Sequence, residues 1–253
     1  MNSVSFAKLY NTTTSILKAT LYMSARNMEL NLNTLDKSQV QLLKEECIEV
    51  DENDKVLGPK SKLDCHLIRN GPPLHRAFSL FLFNTKNELL LQKRADSKIT
   101  FPGYYTNTCC SHPLFNKTEL NENLSLGVRH AAQRRTKAEL GVPFEQLPID
   151  DIAYITRIHY KANSNDQWGE HEIDHVLIAR KDVDLDINPN EVSEIRYVSK
   201  EGMTEFTQEC ERTGVPLTPW FKLILKGHLF TWWDNLHNLD AVKGQDKIIR
   251  CIE

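Results

Sequence analysis

Two adjacent thiols, Cys109 and Cys110, precede an imidazole, His112, in the stretch Thr106-Asn107-Thr108-Cys109-Cys110-Ser111-His112-Pro113. A thiol and an imidazole this close serve nucleophilic chemistry, proton transfer or metal binding. The octet alone does not choose among them, and a buried apolar cysteine pair is the commoner use of such residues. Two more histidines, His66 and His75, lie near segments that read as strands, and Glu170 and Glu172 are two residues apart. On a strand that spacing puts both carboxylates on one face and His171 on the other. Three imidazoles with two carboxylates form a mixed N/O set suited to Mn²⁺, Mg²⁺ or Zn²⁺.

A basic set, Lys62, Arg94, Lys98 and Arg135, has the chemistry to hold an anion. Diphosphates need several such donors, and arginine gives bidentate contacts. Arg135 and Glu139 are four apart in a helical pattern, which an ordinary helix ion pair also explains. Tyr160, and Trp220 in Leu217-Thr-Pro-Trp, complete the chemistry-bearing groups. A tryptophan face stabilises a cation where water is excluded. Taken singly, each of these residues has a plain structural explanation: satisfied core histidines, a solvated strand face, scattered surface cations and aromatic core packing.

The elements that must position these groups are mixed. A helix is expected from Ser38 to Glu46, a hairpin from Cys47–Val50 to Lys55–Gly58, and a strand buried on both faces over Leu74–Phe83. Further strands are expected at 88–93, 152–160, 170–180 and 192–198. Asn123 or Ser125 is expected to cap a helix ending at Leu140, with Gly141 in the positive-φ position after it. An amphipathic helix from Pro219 to Leu236, carrying Trp220, Trp232 and Trp233, is expected to close the chain. Without strict βαβ alternation, an α+β or α/β/α arrangement fits better than a doubly wound sheet.

With 253 residues, 40% of them hydrophobic and 26% charged, the chain supports a sizeable core without staples. A net charge of −3 argues against a dedicated nucleic-acid binder. Six cysteines are too sparse for a disulfide scaffold, so reduced thiols are expected. No apolar run approaches a membrane span. Residues 1–34 read as an N-terminal extension and 35–253 as a single domain. Residues 1–28 lack Asp and Glu, carry Lys8, Lys18 and Arg26, and are rich in Ser and Thr. That composition fits an organelle transit segment, mitochondrial by preference, as well as an extension without consequence. The C-terminal residues match no peroxisomal tripeptide.

Taken together, several stretches resemble the type I isopentenyl diphosphate isomerases, with an animal-like pattern over about 35–239. The signatures are Asn107-Thr-Cys-Cys-Ser-His-Pro113 and Trp168-Gly-Glu-His-Glu-Ile-Asp174. Supporting them are Leu74-His-Arg-Ala-Phe-Ser79, Gln92-Lys-Arg-Ala-Asp-Ser-Lys-Ile-Thr-Phe-Pro-Gly103 and Thr218-Pro-Trp-Phe221. The resemblance implies a Nudix-type α/β/α sandwich with a mixed sheet. It implies interconversion of isopentenyl and dimethylallyl diphosphate in isoprenoid and sterol biosynthesis. Cys110 matches the family's catalytic cysteine, Glu172 its opposing carboxylate and metal ligand, Tyr160 a proton-transfer tyrosine and Trp220 the aromatic wall. His66, His75, His112 and Glu170 match the remaining ligands of that metal, and Glu139 a carboxylate that holds a diphosphate-bound Mg²⁺. Lys62, Arg94, Lys98, Ser111 and Arg135 match substrate-binding positions. The expected partner is a small isoprenoid diphosphate, bound by a monomer in the cytoplasm, with import by residues 1–28 as the alternative. No nucleic-acid partner is expected.

Two other functions follow from the same residues. A Nudix-type diphosphate hydrolase needs the helix motif Arg-Glu-x-x-Glu-Glu-x-Gly, of which Arg134–Gly141 keeps one acidic position, Glu139. A structural zinc protein would instead use Cys65, Cys109, Cys110 and nearby histidine.

Overall fold

The computed structural model describes residues 31–244 and 247–252. Contacts divide the chain into a unit of residues 1–35 and a unit of residues 36–253. In the first, the described residues form one 3₁₀ turn, Leu32–Thr34, whose leading Asn31 side chain accepts the Asn33 N–H. The second carries the sheet and all the helices named below.

Its strands are β1 (Glu46–Val50), β2 (Val56–Ser61), β3 (His75–Phe83), β4 (Leu89–Arg94), β5 (Tyr105–Thr106), β6 (Cys109–Ser111), β7 (Ala153–Asn163), β8 (Gly169–Arg180), β9 (Val192–Val198) and β10 (Ile248–Arg250). Its helices are α1 (Lys37–Leu42), α2 (Lys62–His66), α3 (Leu126–Leu140), α4 (Met203–Thr213), α5 (Pro219–Gly227) and α6 (Leu229–Asp234).

Strand β3 is the hub. It runs parallel to β8 over its whole length, His75 facing Glu172 and Phe83 facing Arg180. Along its other edge it meets β1, β6 and β4 in turn, all antiparallel. Every residue of β3 is buried, as its uninterrupted apolar run predicts for a strand covered on both faces. Alternation then sorts the side chains into two cores. Phe81, Phe83, Val176 and Ile178 pack with α4, α5 and α6. Phe78, Leu80, Leu82 and Leu177 pack with α3 on the other face. The result is a mixed sheet between helices, the α+β sandwich expected.

Four expectations need correction. Helix α1 ends at Leu42, before the expected Glu46, because Glu46 is already paired with Ser61 in the hairpin. Ser125 does precede α3, but at φ 56 its side chain caps nothing. The backbone supplies the closure instead: Gly127 N–H donates to Asn121 O at 2.7 Å, and a Cβ at Gly127 would fall 2.1 Å from Glu119 O. The helix expected over 219–236 is two helices, broken at His228. The break lets two consecutive tryptophans reach β3, Trp232 edge-on to Phe81 and Trp233 edge-on to Phe83. Nor does that region close the chain, since β10 adds a strand parallel to β7, with Ile249 facing Ile158. Gly141 does take the expected positive φ, 72°, at the end of α3. Helix α4 was not anticipated from the sequence.

Candidate active site

Strands β6 and β8 flank β3, and both turn their chemistry toward the face on which Trp220 packs. Cys110 lies opposite Ser79 on one side of β3, and Glu172 lies opposite His75 on the other. Tyr160 lies opposite Glu172 on β7. One cavity is lined by Lys62, His66, Arg94, Lys98, Cys110, Ser111, His112, Tyr160, Glu170, Glu172 and Trp220, together with Gln39 and Leu42 from α1.

The three histidines converge at one end. Ligand atoms of His66, His75, His112 and Glu172 all lie within 4.8 Å of one another, and all four residues are buried. His66 Nδ1 contacts Lys62 O at 2.7 Å and His75 Nδ1 contacts Pro73 O at 3.0 Å. A carbonyl only accepts, so each Nδ1 carries the proton and each Nε2 keeps a lone pair. The buried Nε2 of His75 makes no hydrogen bond. Such an orphaned lone pair beside other imidazoles and a carboxylate fits a divalent cation, with the Nδ1 contacts orienting the ligands. Among the described residues no cysteine joins this group. All six cysteines are free of disulfides in the structure.

Glu170, expected among the ligands, shares the face of Glu172 but lies outside that cluster. The Tyr160 hydroxyl stands between the two carboxylates, 2.9 Å from Glu170 and 2.5 Å from Glu172. Burial and the neighbouring Glu172 push Glu170 up to about 7. Burial would raise Glu172 as well, but the hydrogen bond to His112 and the His75 imidazole beside it hold it well below the usual carboxylate range. The Cys110 thiol is pushed up to about 12 by burial, against the pull of Arg94 and Thr106. At neutral pH the thiol is therefore an acid and Glu172 an anion.

The basic residues divide. Arg94 donates to Thr100 O and Phe101 O at 2.7 and 3.1 Å, and its guanidinium carbon lies 5.9 Å from the Trp220 ring centroid. Lys62 pairs with Glu45 at 3.5 Å, and Lys98 with Glu191. These three line the cavity; Arg135 and Glu139 do not. Both project from α3, where Arg135 reaches Glu139 at 2.8 Å and Glu191 at 3.3 Å, and Glu139 accepts from Gln92. The sequence reading assigned no role to Glu191, Asn107, Thr106, Thr218 or Asp174. Asp174 continues the Glu170–Glu172 alternation, so spacing alone could have placed it on this face. Its carboxyl accepts from Ser79 at 2.7 Å, and burial raises it well above the usual range.

A mixed sheet between helices, with a buried polar site on one face, defines the class, and the family model for the NUDIX domain matches residues 73–221. The chain is 54% identical over 224 residues to isopentenyl-diphosphate Delta-isomerase 1 of Bos taurus, covering 88% of this chain and 99% of the relative. To the Mus musculus isomerase 1 it is 53% identical, again over 88% of this chain and 99% of the relative. To isopentenyl-diphosphate delta-isomerase 2 of Homo sapiens it is 47% identical at the same coverage. The chain belongs to the isopentenyl-diphosphate delta-isomerase family of Nudix-domain proteins. No helix among the described residues is long and apolar enough to cross a membrane.

Proposed function

We propose that this chain interconverts isopentenyl and dimethylallyl diphosphate, by protonating the alkene and removing a proton from the neighbouring carbon. The observation that carries the reading is the pair across β3, a thiol, Cys110, and a carboxylate, Glu172, in one cavity; burial favours the protonated thiol, and the imidazoles beside Glu172 favour its ionised form. An unactivated alkene needs a proton at one carbon and a base at another, which two groups on flanking strands supply. In this protonation state Cys110 gives the first proton and Glu172 accepts the second, and the reverse reaction exchanges the roles. Tyr160 spans Glu170 and Glu172, keeping the base oriented and sharing its proton. The face of Trp220 stabilises the tertiary cation, and its burial keeps water from capturing it.

His66, His75, His112 and Glu172, with Glu170 adjoining, would hold the divalent cation, Mg²⁺ in our reading with Mn²⁺ or Zn²⁺ as substitutes. When bound, the cation supplies charge that tunes the acidity of Glu172 and its partners. Lys62, Arg94, Lys98 and Ser111 bind the diphosphate, which anchors the substrate away from the reacting carbons. Arg135 and Glu139 act one layer out: Glu139 holds Arg135, which reaches Glu191, and Glu191 in turn sets the position of Lys98. Every group in this reading comes from one chain, so the working unit is a monomer of the 35–253 domain. We read its compartment as cytoplasmic, with residues 1–28 as the one segment that could redirect it. Purified protein incubated with isopentenyl diphosphate and Mg²⁺ is expected to yield dimethylallyl diphosphate without free phosphate. Phosphate release without the isomer would establish the hydrolase instead.

A further inference from the structure

The groups beneath the Cys110 thiol form a closed hydrogen-bond set. Asn107 is fully buried, and its Nδ2 gives its two protons to Leu80 O at 3.0 Å and Cys109 O at 3.2 Å. These carbonyls fix the amide, because the flipped form would face two oxygens with an oxygen. Oδ1 therefore faces Trp220 Nε1 at 3.0 Å, Thr106 Oγ1 at 3.0 Å and Cys110 Sγ at 3.3 Å. An amide oxygen has two lone pairs, so three donors compete for two places, and S–H is the weakest of the three. Thr106 and Thr218 are also fully buried, their hydroxyls 2.8 Å apart. One order satisfies the set: Thr218 donates to Thr106, Thr106 donates to Asn107, and Trp220 fills the second lone pair. The thiol proton is then the surplus one, and its nearest acceptor outside Asn107 is Thr106 Oγ1 at 3.4 Å.

We propose that Thr106 is a positioning residue for proton transfer: its hydroxyl occupies the Asn107 lone pair that would otherwise capture the Cys110 S–H, leaving that proton no tighter hold than the 3.4 Å contact to Thr106 Oγ1 and free to turn into the cavity. The inference rests on Cys110 being the proton donor. Once the proton has passed from Sγ to the alkene carbon, the Thr106 hydroxyl turns from Oδ1 to the sulfur. There it joins the Trp220 N–H, which already lies 3.2 Å from Sγ. Thr106 itself neither gains nor loses a proton.

Two near-isosteric substitutions separate this from packing. Thr106→Val keeps the shape and removes the hydroxyl; Thr106→Ser keeps the hydroxyl and removes a methyl. Positioning predicts that Thr106→Val lowers kcat by about tenfold or more at unchanged KM, the scale of one hydrogen bond that must be broken before transfer. Thr106→Ser is expected to retain most turnover. Packing predicts the opposite order, since only Ser opens a gap, and that order, or equal rates, would overturn the proposal. Because Thr106→Val also strands the Thr218 hydroxyl, the double variant Thr106→Val/Thr218→Val is measured too, with thermal melting to verify folding. Its kcat is expected to stay low; recovery to the wild-type rate would trace the loss to the stranded hydroxyl and reject positioning. Cys110→Ala run in parallel keeps the two levels apart. An active Cys110→Ala removes the acid–base reading itself, whereas an inactive one beside a fully active Thr106→Val removes only the role of Thr106.

Discussion

Glu170 and Glu172 differ by one turn of strand alternation and by their neighbours. Glu172 faces two imidazoles, His112 at 2.8 Å and His75 at 3.4 Å, while Glu170 contacts the Tyr160 hydroxyl. The consequences of neutralising them should therefore separate. Glu172→Gln removes both a cluster carboxylate and the proposed base, and is expected to lower kcat by about 100-fold or more and to reduce bound metal per chain. Glu170→Gln is expected to keep the metal and lose less activity. Metal content by atomic emission, measured beside turnover for each variant, checks both. A metal-replete Glu170→Gln that is the more damaged of the two would move the base to Glu170.

At the level of elements, the sheet is pinned on the face away from the cavity by one carboxylate. Asp54, in the turn between β1 and β2, accepts from Arg76 of β3 at 2.8 Å, Arg157 of β7 at 3.2 Å and His175 of β8 at 2.8 Å. Burial would raise its pKa, but His175 and Arg76 hold it down at about 2. A depressed carboxylate contributes stability that is complete above the unfolded value, about 3.9, and is lost as pH falls through the folded one. The contribution at neutral pH is of order 2 kcal/mol. Asp54→Asn is therefore expected to lower the urea midpoint at pH 7. The gap from wild type should narrow between pH 4 and pH 2, and an equal gap at both ends would deny the ion cluster its role.

For the whole molecule, the cavity draws its lining from residues between Gln39 and Trp220. Residues 1–28 lie outside the described residues, and we propose that their composition bears on address and not on chemistry. Deleting residues 1–28 is expected to leave kcat/KM for isopentenyl diphosphate unchanged. The same segment fused to a fluorescent reporter tests import: mitochondrial localisation would support the transit reading, and a diffuse cytosolic signal the extension without consequence. A large fall in kcat/KM on deletion would instead give the segment a part in the active unit.

Strand periodicity, turn residues and reactive side-chain types are local properties, and they were legible in the chain itself. The buried run of β3, the shared face of Glu170 and Glu172, and the helix ending at Gly141 all follow from alternation and backbone conformation. So does the association of Cys110 with His112, two residues apart in one short segment. What a pattern cannot carry is distance between segments. That His66, from a helix, joins His75 and His112, from two strand regions, depends on how α2 docks, and the local sequence holds no signal for it. The same holds for the ion pairs that take Arg135 and Glu139 away from the cavity wall, and for the break at His228 that seats two tryptophans on β3. The role of Asn107 shows the limit most clearly. Its neighbours in the octet are visible in the sequence, but its oxygen acquires a meaning only when Trp220, 113 residues away, closes over it.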